Sequence, residues 1–324
     1  MGKRRIRNLL KLGFKDIIGF DATTSRRTET GKKFHILIES SIKDALKHKP
    51  NVMIISTPPD KHLDYVKIAI KHNIDFFTEV NLISEHVKKI IKLTQKTSLI
   101  CSPSFTMHFH PLIKELKKLL QKNTIGKILI IQHHSGQYLP NWHPWEDYRK
   151  FFVSKKITGG AREMVPVELV WLTYLFNEIK SVTANVGKIS NLDVKIDDIY
   201  QVLMKFKSNI SCTLTVDVIS IPSFRETKII GEHGTILCDF NNGTLKILKE
   251  KTIKTISLKL GTVAKGYGRS TPPETLYEEE IKTFLDSVQN RKKYFYSFIE
   301  ELKILRVLDA IENSSKEKQG IRLK

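Results

Sequence analysis

Apolar positions in the first hundred residues alternate between short contiguous runs and helical spacing. Ile6, Leu9 and Leu10 share one face of a segment, residues 3–12, that stops at Gly13, so a helix is expected there. Residues 16–21 (DIIGFD) read as a buried strand ending in a carboxylate. A short helix over 40–48 carries a serine cap signal, a strand over 52–55 breaks at Ser56-Thr57-Pro58-Pro59, and a helix covers 60–72. A strand at 75–79, a helix at 84–95 and a strand at 98–101 complete this part. Strands alternating with helices imply right-handed crossovers and a parallel sheet covered on both faces.

Past residue 103 the pattern changes. A helix over 110–122 leads into a strand at 127–133, an aromatic-rich loop and a helix at 162–176. Runs at 199–207, 211–218 and 226–230, separated by turn signals at 231–234 and 241–243, then read as an antiparallel sheet, closed by helices at 276–290 and 297–314. The expected fold class is therefore α/β, with a doubly wound parallel sheet in a domain over 1–103 and an open, largely antiparallel sheet in an α+β domain over 104–324. The runs at 199–207 and 211–218 read as apolar on both faces, which predicts that a second copy covers one of them, most simply in a homodimer.

Composition narrows the function classes. The formal net charge is +20, but the lysines are spread along the helices, as in Lys114, Lys117, Lys118 and Lys122, interleaved with apolar positions. That is a solvated lysine-rich surface and not a clustered footprint, so no specific nucleic-acid partner is expected. No apolar run approaches the ~20 residues that span a bilayer, and no membrane association is expected. The three cysteines, Cys101, Cys212 and Cys238, are widely spaced. Neither a disulfide framework nor metal-ligand spacing follows, and a cytoplasmic setting is the simplest expectation.

Several segments fall in a telling order. Thr57-Pro58-Pro59-Asp60-Lys61-His62 follows a strand, and Gly159-Gly160-Ala161 opens a helix that ends in Leu175-Phe176. Tyr277-Glu278 and Phe284 precede Ala310-Ile311-Glu312-Asn313-Ser314-Ser315. Together they resemble the glucose–fructose oxidoreductase/inositol dehydrogenase (Gfo/Idh/MocA) family over essentially the whole chain. The resemblance implies a Rossmann-type domain binding NAD or NADP and a second domain holding a small sugar-like substrate. The implied activity is an NAD(P)-dependent oxidoreductase acting on CH–OH groups of a sugar, cyclitol or nucleotide-sugar.

The departures from that family are equally specific. Its members open with a strand and a G-x-G-x-x-G turn, whereas Met1-Gly2-Lys3-Arg4 looks like the tail of such a turn, with Gly2 as its last glycine. The first strand is absent, so an internal or shortened start is expected, with a real loss of dinucleotide binding as the alternative. Glu79-Val80-Asn81 stands where the family has E-K-P. In the later helix Glu163, Val167 and Val170 align with an acid, a histidine and a second acid, and Glu168 alone is kept. The expected cofactor-binding set is Gly2, Lys3, Asp21, Arg26, Ser56, Thr57, Pro58, His62 and Glu79. Asp21, ending a strand, suits a ribose hydroxyl pair and so NAD, or simply caps the next turn; Ser25-Arg26-Arg27 keeps NADP open.

With the usual lysine and histidine replaced by Val80 and Val167, proton transfer must come from other groups. The stretch from Tyr138 to Arg149 holds two Trp, two Tyr, a His and an Arg, which suits stacking and hydrogen bonding to a sugar ring, or simply covers a domain junction. His143 and Tyr148 are the leading acid–base candidates, with Arg162 and Glu163 beside them as catalytic residues. Trp142, Arg149 and Glu168 are the substrate-binding candidates. The alternative from another class is an inactive relative that binds a sugar or nucleotide as a sensor or assembly partner.

Overall fold

The computed structural model describes residues 1–264 and 271–323. It divides into two compact units: Met1–Asn81, Glu85–Ser104 and Tyr277–Glu300 in the first, and Leu82–Ser84, Phe105–Leu276 and Glu301–Lys324 in the second.

The first unit runs α1 (Gly2–Lys11), β1 (Ile18–Phe20), α2 (Thr24–Phe34), β2 (Leu37–Glu39), α3 (Ile42–Lys47), β3 (Val52–Ile55), α4 (His62–Lys71), β4 (Asp75–Thr78), α5 (Ser84–Thr94) and β5 (Cys101–Pro103). All its strand pairs are parallel, but they form two ladders: β1 with β2, and β3–β4–β5. Among the described residues no ladder joins β1 to β3.

Local chemistry sets several boundaries. Ser41 Oγ accepts the Asp44 N–H (3.1 Å) and starts α3. The strand expected at 98–101 is regular only from Cys101, because the Ile100 N–H donates to the Asp75 side chain (2.7 Å). Helix α2 and strand β2 escaped the sequence reading, since TSRRTETGKKF has no apolar stripe to reveal a helix. Phe76 and Phe77 of β4 are fully buried, as are Val66 and Ala69 of α4 and Val87 and Ile90 of α5. The Phe77 ring also meets Phe284 at 5.3 Å.

The second unit holds α6 (Pro111–Gln121), β6 (Ile128–Tyr138), α7 (Ala161–Phe176), β7 (Ile179–Gly187), β8 (Ile199–Phe206), β9 (Ser211–Asp217), β10 (Ile219–Gly231), β11 (Gly234–Asp239), β12 (Thr244–Lys249) and β13 (Thr252–Ser257). After these come α8 (Glu274–Gln289), which runs on into the first unit, α9 (Phe298–Glu317) and β14 (Ile321–Arg322). The strands make one nine-stranded sheet, ordered β13-β12-β11-β10-β6-β9-β8-β7-β14, in which β6 and β9 are parallel and the other pairs antiparallel.

Helix α7 lies against β8 and β9. Its entry explains the double glycine: a Cβ at Gly159 would sit 2.1 Å from the Val153 carbonyl oxygen, and Gly160 has φ +64°. Tyr200, Val202, Met204 and Phe206 of β8, with Cys212, Leu214 and Val216 of β9, are buried on the inner face. The outward positions are Gln201, Leu203, Lys205, Thr213 and Thr215. The expectation of two apolar faces is thus corrected: strict period-2 alternation turns the polar residues outward, and Leu203, 57% exposed, is the large apolar exception on these two strands.

Candidate functional site

In an open parallel sheet, ligands meet the turns beyond the carboxyl ends of the strands. In the first unit the turns after β3 and β4 are held together by side chains. His62 is fully buried, with Nδ1 2.8 Å from Asn81 Oδ1 and Nε2 2.9 Å from the Thr57 carbonyl. Asn81 Nδ2 in turn donates to Thr78 Oγ1 (2.9 Å). Burial pushes the His62 pKa down, against the opposing pull of Asn81 and Thr57. The histidine therefore ties the Ser56-Thr57-Pro58 turn to the Glu79-Val80-Asn81 turn.

Glu79 is engaged just as closely. Arg5, on α1, donates Nε to Glu79 Oε1 (2.8 Å) and Nη2 to Oε2 (2.9 Å), and Ser56 Oγ donates to Oε1 (3.0 Å). The same guanidinium reaches Glu280 Oε2 (2.7 Å), while Ser104 donates to Oε1 of that residue. Burial would raise the Glu79 carboxyl, but the Arg5 charge and hydrogen bonds hold it below the usual range. Gly2 adjoins this group, since a Cβ there would lie 3.9 Å from Ser56 Cβ. Gly2, Ser56 and Glu79 are thus brought together, and Arg5, absent from the expected set, is the residue that does it.

The remaining first-unit candidates lie apart. Lys3 pairs with Glu29 (2.5 Å). Asp21 Oδ1 accepts the Thr23 N–H (2.7 Å), the turn-capping role weighed for it. Arg26 is exposed on α2.

In the second unit α7 carries the densest chemistry. Glu168 is fully buried and accepts at both oxygens: Arg225 Nε and Nη2 approach Oε1 (2.9 Å each), while His133 Nε2 (2.9 Å) and Trp171 Nε1 (2.8 Å) approach Oε2. His133 Nδ1 pairs with Thr227 Oγ1 (2.8 Å). Burial would raise this carboxyl, but Arg225 and then His133 hold it well below the usual range. Glu168, expected to bind substrate, is therefore committed to the protein interior.

Arg162 is likewise committed. It donates to Glu312 through Nε (2.6 Å) and Nη2 (3.3 Å), and its Nη1 meets the Leu82 and Ile157 carbonyls (2.8 Å each). Glu163 behaves oppositely. The side chain keeps partial exposure, yet its Oε2 is buried without a hydrogen-bond partner, and burial pushes the carboxyl up to about 8.

The aromatic loop folds on itself. The His143 ring stacks between Trp145 (5.2 Å) and Phe151 (5.1 Å), with Nδ1 3.4 Å from Glu146. Tyr148 Oη accepts the Asp193 N–H (3.3 Å), and Arg149 pairs with Asp147 (2.9 Å) and Asp193 (3.1 Å). Trp145 is 58% exposed, whereas Trp142 buries an unpartnered Nε1. Sequence reasoning missed Arg225 altogether. The available signal was Glu168 and Trp171 at helical spacing on an apolar helix, which demands a buried polar partner. Among the described residues no cluster of His, Cys, Asp or Glu could hold a metal, and no helix is long and apolar enough to cross a membrane.

Residues 113–237 match the GFO/IDH/MocA C-terminal domain. Oxidoreductase P35 of Formosa agariphila is 20% identical over 211 residues, 63% of this chain and 64% of that protein, so the match spans just under two thirds of that relative. Myo-inositol 2-dehydrogenase of Thermotoga maritima is 23% identical over 303 residues, 88% of this chain and 85% of that protein. The solved structure of a levoglucosan dehydrogenase in complex with NADH shares the fold with a TM-score of 0.83 at 15% identity, covering 100% of this chain and 96% of that one.

Proposed function

We propose that the chain, whose residues 113–237 match the GFO/IDH/MocA C-terminal domain, is a member of that family and an NAD(P)-dependent oxidoreductase. Its substrate would be a CH–OH group of a sugar, cyclitol or nucleotide-sugar. The observation that carries the reading is Glu163, whose buried, unpartnered Oε2 and upward-shifted carboxyl suit the proton transfer that accompanies hydride transfer. Such a group holds its proton at neutral pH and exchanges it close to pH 8. The named relatives act on related chemistry, as the words myo-inositol 2-dehydrogenase and levoglucosan dehydrogenase state.

The first unit fits a dinucleotide at the carboxyl ends of its strands. The backbone at Gly2 and the Ser56-Thr57-Pro58 turn adjoin, and a side chain at position 2 would narrow that approach. When bound, the nicotinamide supplies a two-electron hydride acceptor. His62 and Arg5 keep the two turns in register, and in this reading Asp21, just after β1, would meet the ribose hydroxyls. In this reading Glu163, whose side chain keeps partial exposure, would take or return the hydroxyl proton through its carboxyl group. His143 and Tyr148 contribute less in this reading, because their polar atoms already meet Glu146 and Asp193.

A second reading, a catalytically inactive binder, draws support from Val80 and Val167, which cannot transfer protons. One experiment separates the two. The protein is mixed with NAD+ or NADP+ and a panel of sugars and cyclitols, and formation of reduced nicotinamide is followed by absorbance. Turnover that collapses in Glu163→Gln supports the enzyme; dinucleotide-independent sugar binding with no absorbance change supports the binder. We further read the protein as cytoplasmic and as a homo-oligomer. A dimer using the outer sheet face would be polar in character, and light scattering at micromolar concentration tests it.

A further inference from the structure

Strands β7 and β8 of the second unit are joined by residues 188–198, and the loop ahead of α7 faces this connection. Between the two lies a cavity of about 850 Å³, with Arg149, Ser154, Lys188, Asn191, Asp193 and Lys195 on its walls. Its size falls in the range of small-molecule pockets, roughly 300–1,000 Å³. Glu163 does not line it.

A buried carboxylate builds one wall. Asp198 is fully buried and accepts the Ile189 N–H (2.9 Å), the Ser190 N–H (3.0 Å) and the Ser190 hydroxyl (2.5 Å). Ser190 Oγ in turn accepts the Leu192 N–H (3.2 Å), and Tyr148 Oη in the facing loop accepts the Asp193 N–H (3.3 Å). The connection is thus tied down at both ends of its exposed stretch, and its side chains are held out over the cavity.

The charges on these walls do not balance. Arg149 is matched by Asp147 (2.9 Å) and Asp193 (3.1 Å), and the Asp198 charge is taken up by its own three donors. Lys188 spends one hydrogen on the Leu192 carbonyl (2.6 Å), a neutral acceptor. Lys195 meets no hydrogen-bond or ion-pair partner among the described residues, and neither lysine has a carboxylate within ion-pair distance there. Lys156, outside these walls, shows the contrast by pairing with Asp197 (3.2 Å). Two ammonium groups without counter-charge on one cavity repel each other, and a bound anion would offset both.

We infer that this cavity binds a phosphate dianion, free or as the head of a phosphate monoester, between Lys188 and Lys195. An ammonium group only donates, and the oxygens of a phosphate dianion only accept. Two single positive charges match one dianion, and the exposed Asn191 amide supplies a further donor. A neutral ligand would leave both lysines uncompensated. The inference uses neither the dinucleotide nor the role given to Glu163.

The test is calorimetry on the full chain in low-salt buffer without dinucleotide, with inorganic phosphate, glycerol 2-phosphate and glycerol as probes. At about pH 8 both phosphates are dianions. The expected result is a Kd on the order of 1 mM or tighter for at least one phosphate, with no binding of glycerol. Tighter binding of glycerol 2-phosphate than of inorganic phosphate assigns the monoester; equal or weaker binding assigns the free ion. Lys188→Gln and Lys195→Gln should each weaken binding about tenfold, and Lys195→Glu should abolish it. Lys156→Gln removes a nearby charge outside the cavity and should bind as the parent does. The proposal is overturned if neither phosphate binds or if Lys156→Gln loses as much affinity as the cavity variants. Binding untouched by both lysine-to-glutamine variants also overturns it, since the phosphate would then sit elsewhere, as at the dinucleotide turns.

Discussion

Glu163 and Glu168 stand on the same helix, α7, and burial pushes the pKa of both upward, yet they end at opposite extremes. Glu168 meets four donors from Arg225, His133 and Trp171, and stays ionised. Glu163 Oε2 meets none and holds its proton up to about 8. The partners decide, and not the depth: a carboxylate whose lone pairs are filled is a structural tie, while an unfilled one is available for chemistry. Arg5 with Glu79 and Glu280 repeats the first case in the other unit.

The largest difference should appear in turnover. Glu163→Gln should lower kcat by roughly 10²–10⁴-fold, with dinucleotide affinity unchanged and the melting temperature equal or higher. A variant that keeps its kcat breaks the comparison, since Glu163 would then be an idle buried acid.

Next in size is the stability cost at the paired site. Glu168→Gln leaves the Arg225 guanidinium without its counter-charge in a dry interior, which should cost about 3–5 kcal/mol in urea unfolding. A loss under ~1 kcal/mol would mean that water or rearrangement replaces the pair.

The two carboxylates should also give pH dependences of opposite sign. The Glu163 pKa is raised on folding from the ordinary 4.5 to about 8, so the native state binds more protons across that window. Its contribution therefore makes the protein less stable as pH rises from 4.5 to 8, and is flat above. Glu168 is shifted down, so its stabilisation is present above 4.5 and is lost as pH falls through its folded value. Unfolding midpoints of the parent and of Glu163→Gln across pH 5–8, the inner part of that window, should diverge in favour of the variant as pH rises. Parallel curves would count against a desolvated Glu163.

The smallest effect concerns the outer edge of the Glu168 network. Thr227→Val removes the partner of His133 Nδ1 and should cost about 1–2 kcal/mol, measured in the same urea experiment. A cost equal to that of Glu168→Gln would show that the network acts as one cooperative unit.

Much of this was legible in the chain, and the gaps have definite causes. Strands β3 and β4 and helices α4, α6 and α7 were readable because each carries its own apolar periodicity and punctuation, such as Pro58-Pro59 and Gly159-Gly160. Helix α2 was not, because its sequence is polar all round. Among candidate site residues, Ser56, Thr57, His62 and Glu79 fall together because turns after parallel strands are close by topology. Arg162, Glu163 and Glu168 lie within seven residues and look equivalent on paper. Their fates differ because 100° per residue turns them to different neighbours.

What the sequence determined by itself was local: where strands and helices start and stop, that a parallel α/β half precedes an antiparallel half, and which kindred fold the motifs mark. What only the tertiary structure decided was pairing at long range. Arg5 finding Glu280 and Arg225 finding Glu168 are partnerships across 275 and 57 residues, and no local periodicity encodes them. The desolvation that lifts Glu163 and the counter-charge that lowers Glu168 are likewise properties of the packed surroundings. The electrostatic energy of a buried group depends on the dielectric and charges within a few ångströms, and those exist only once the chain has folded.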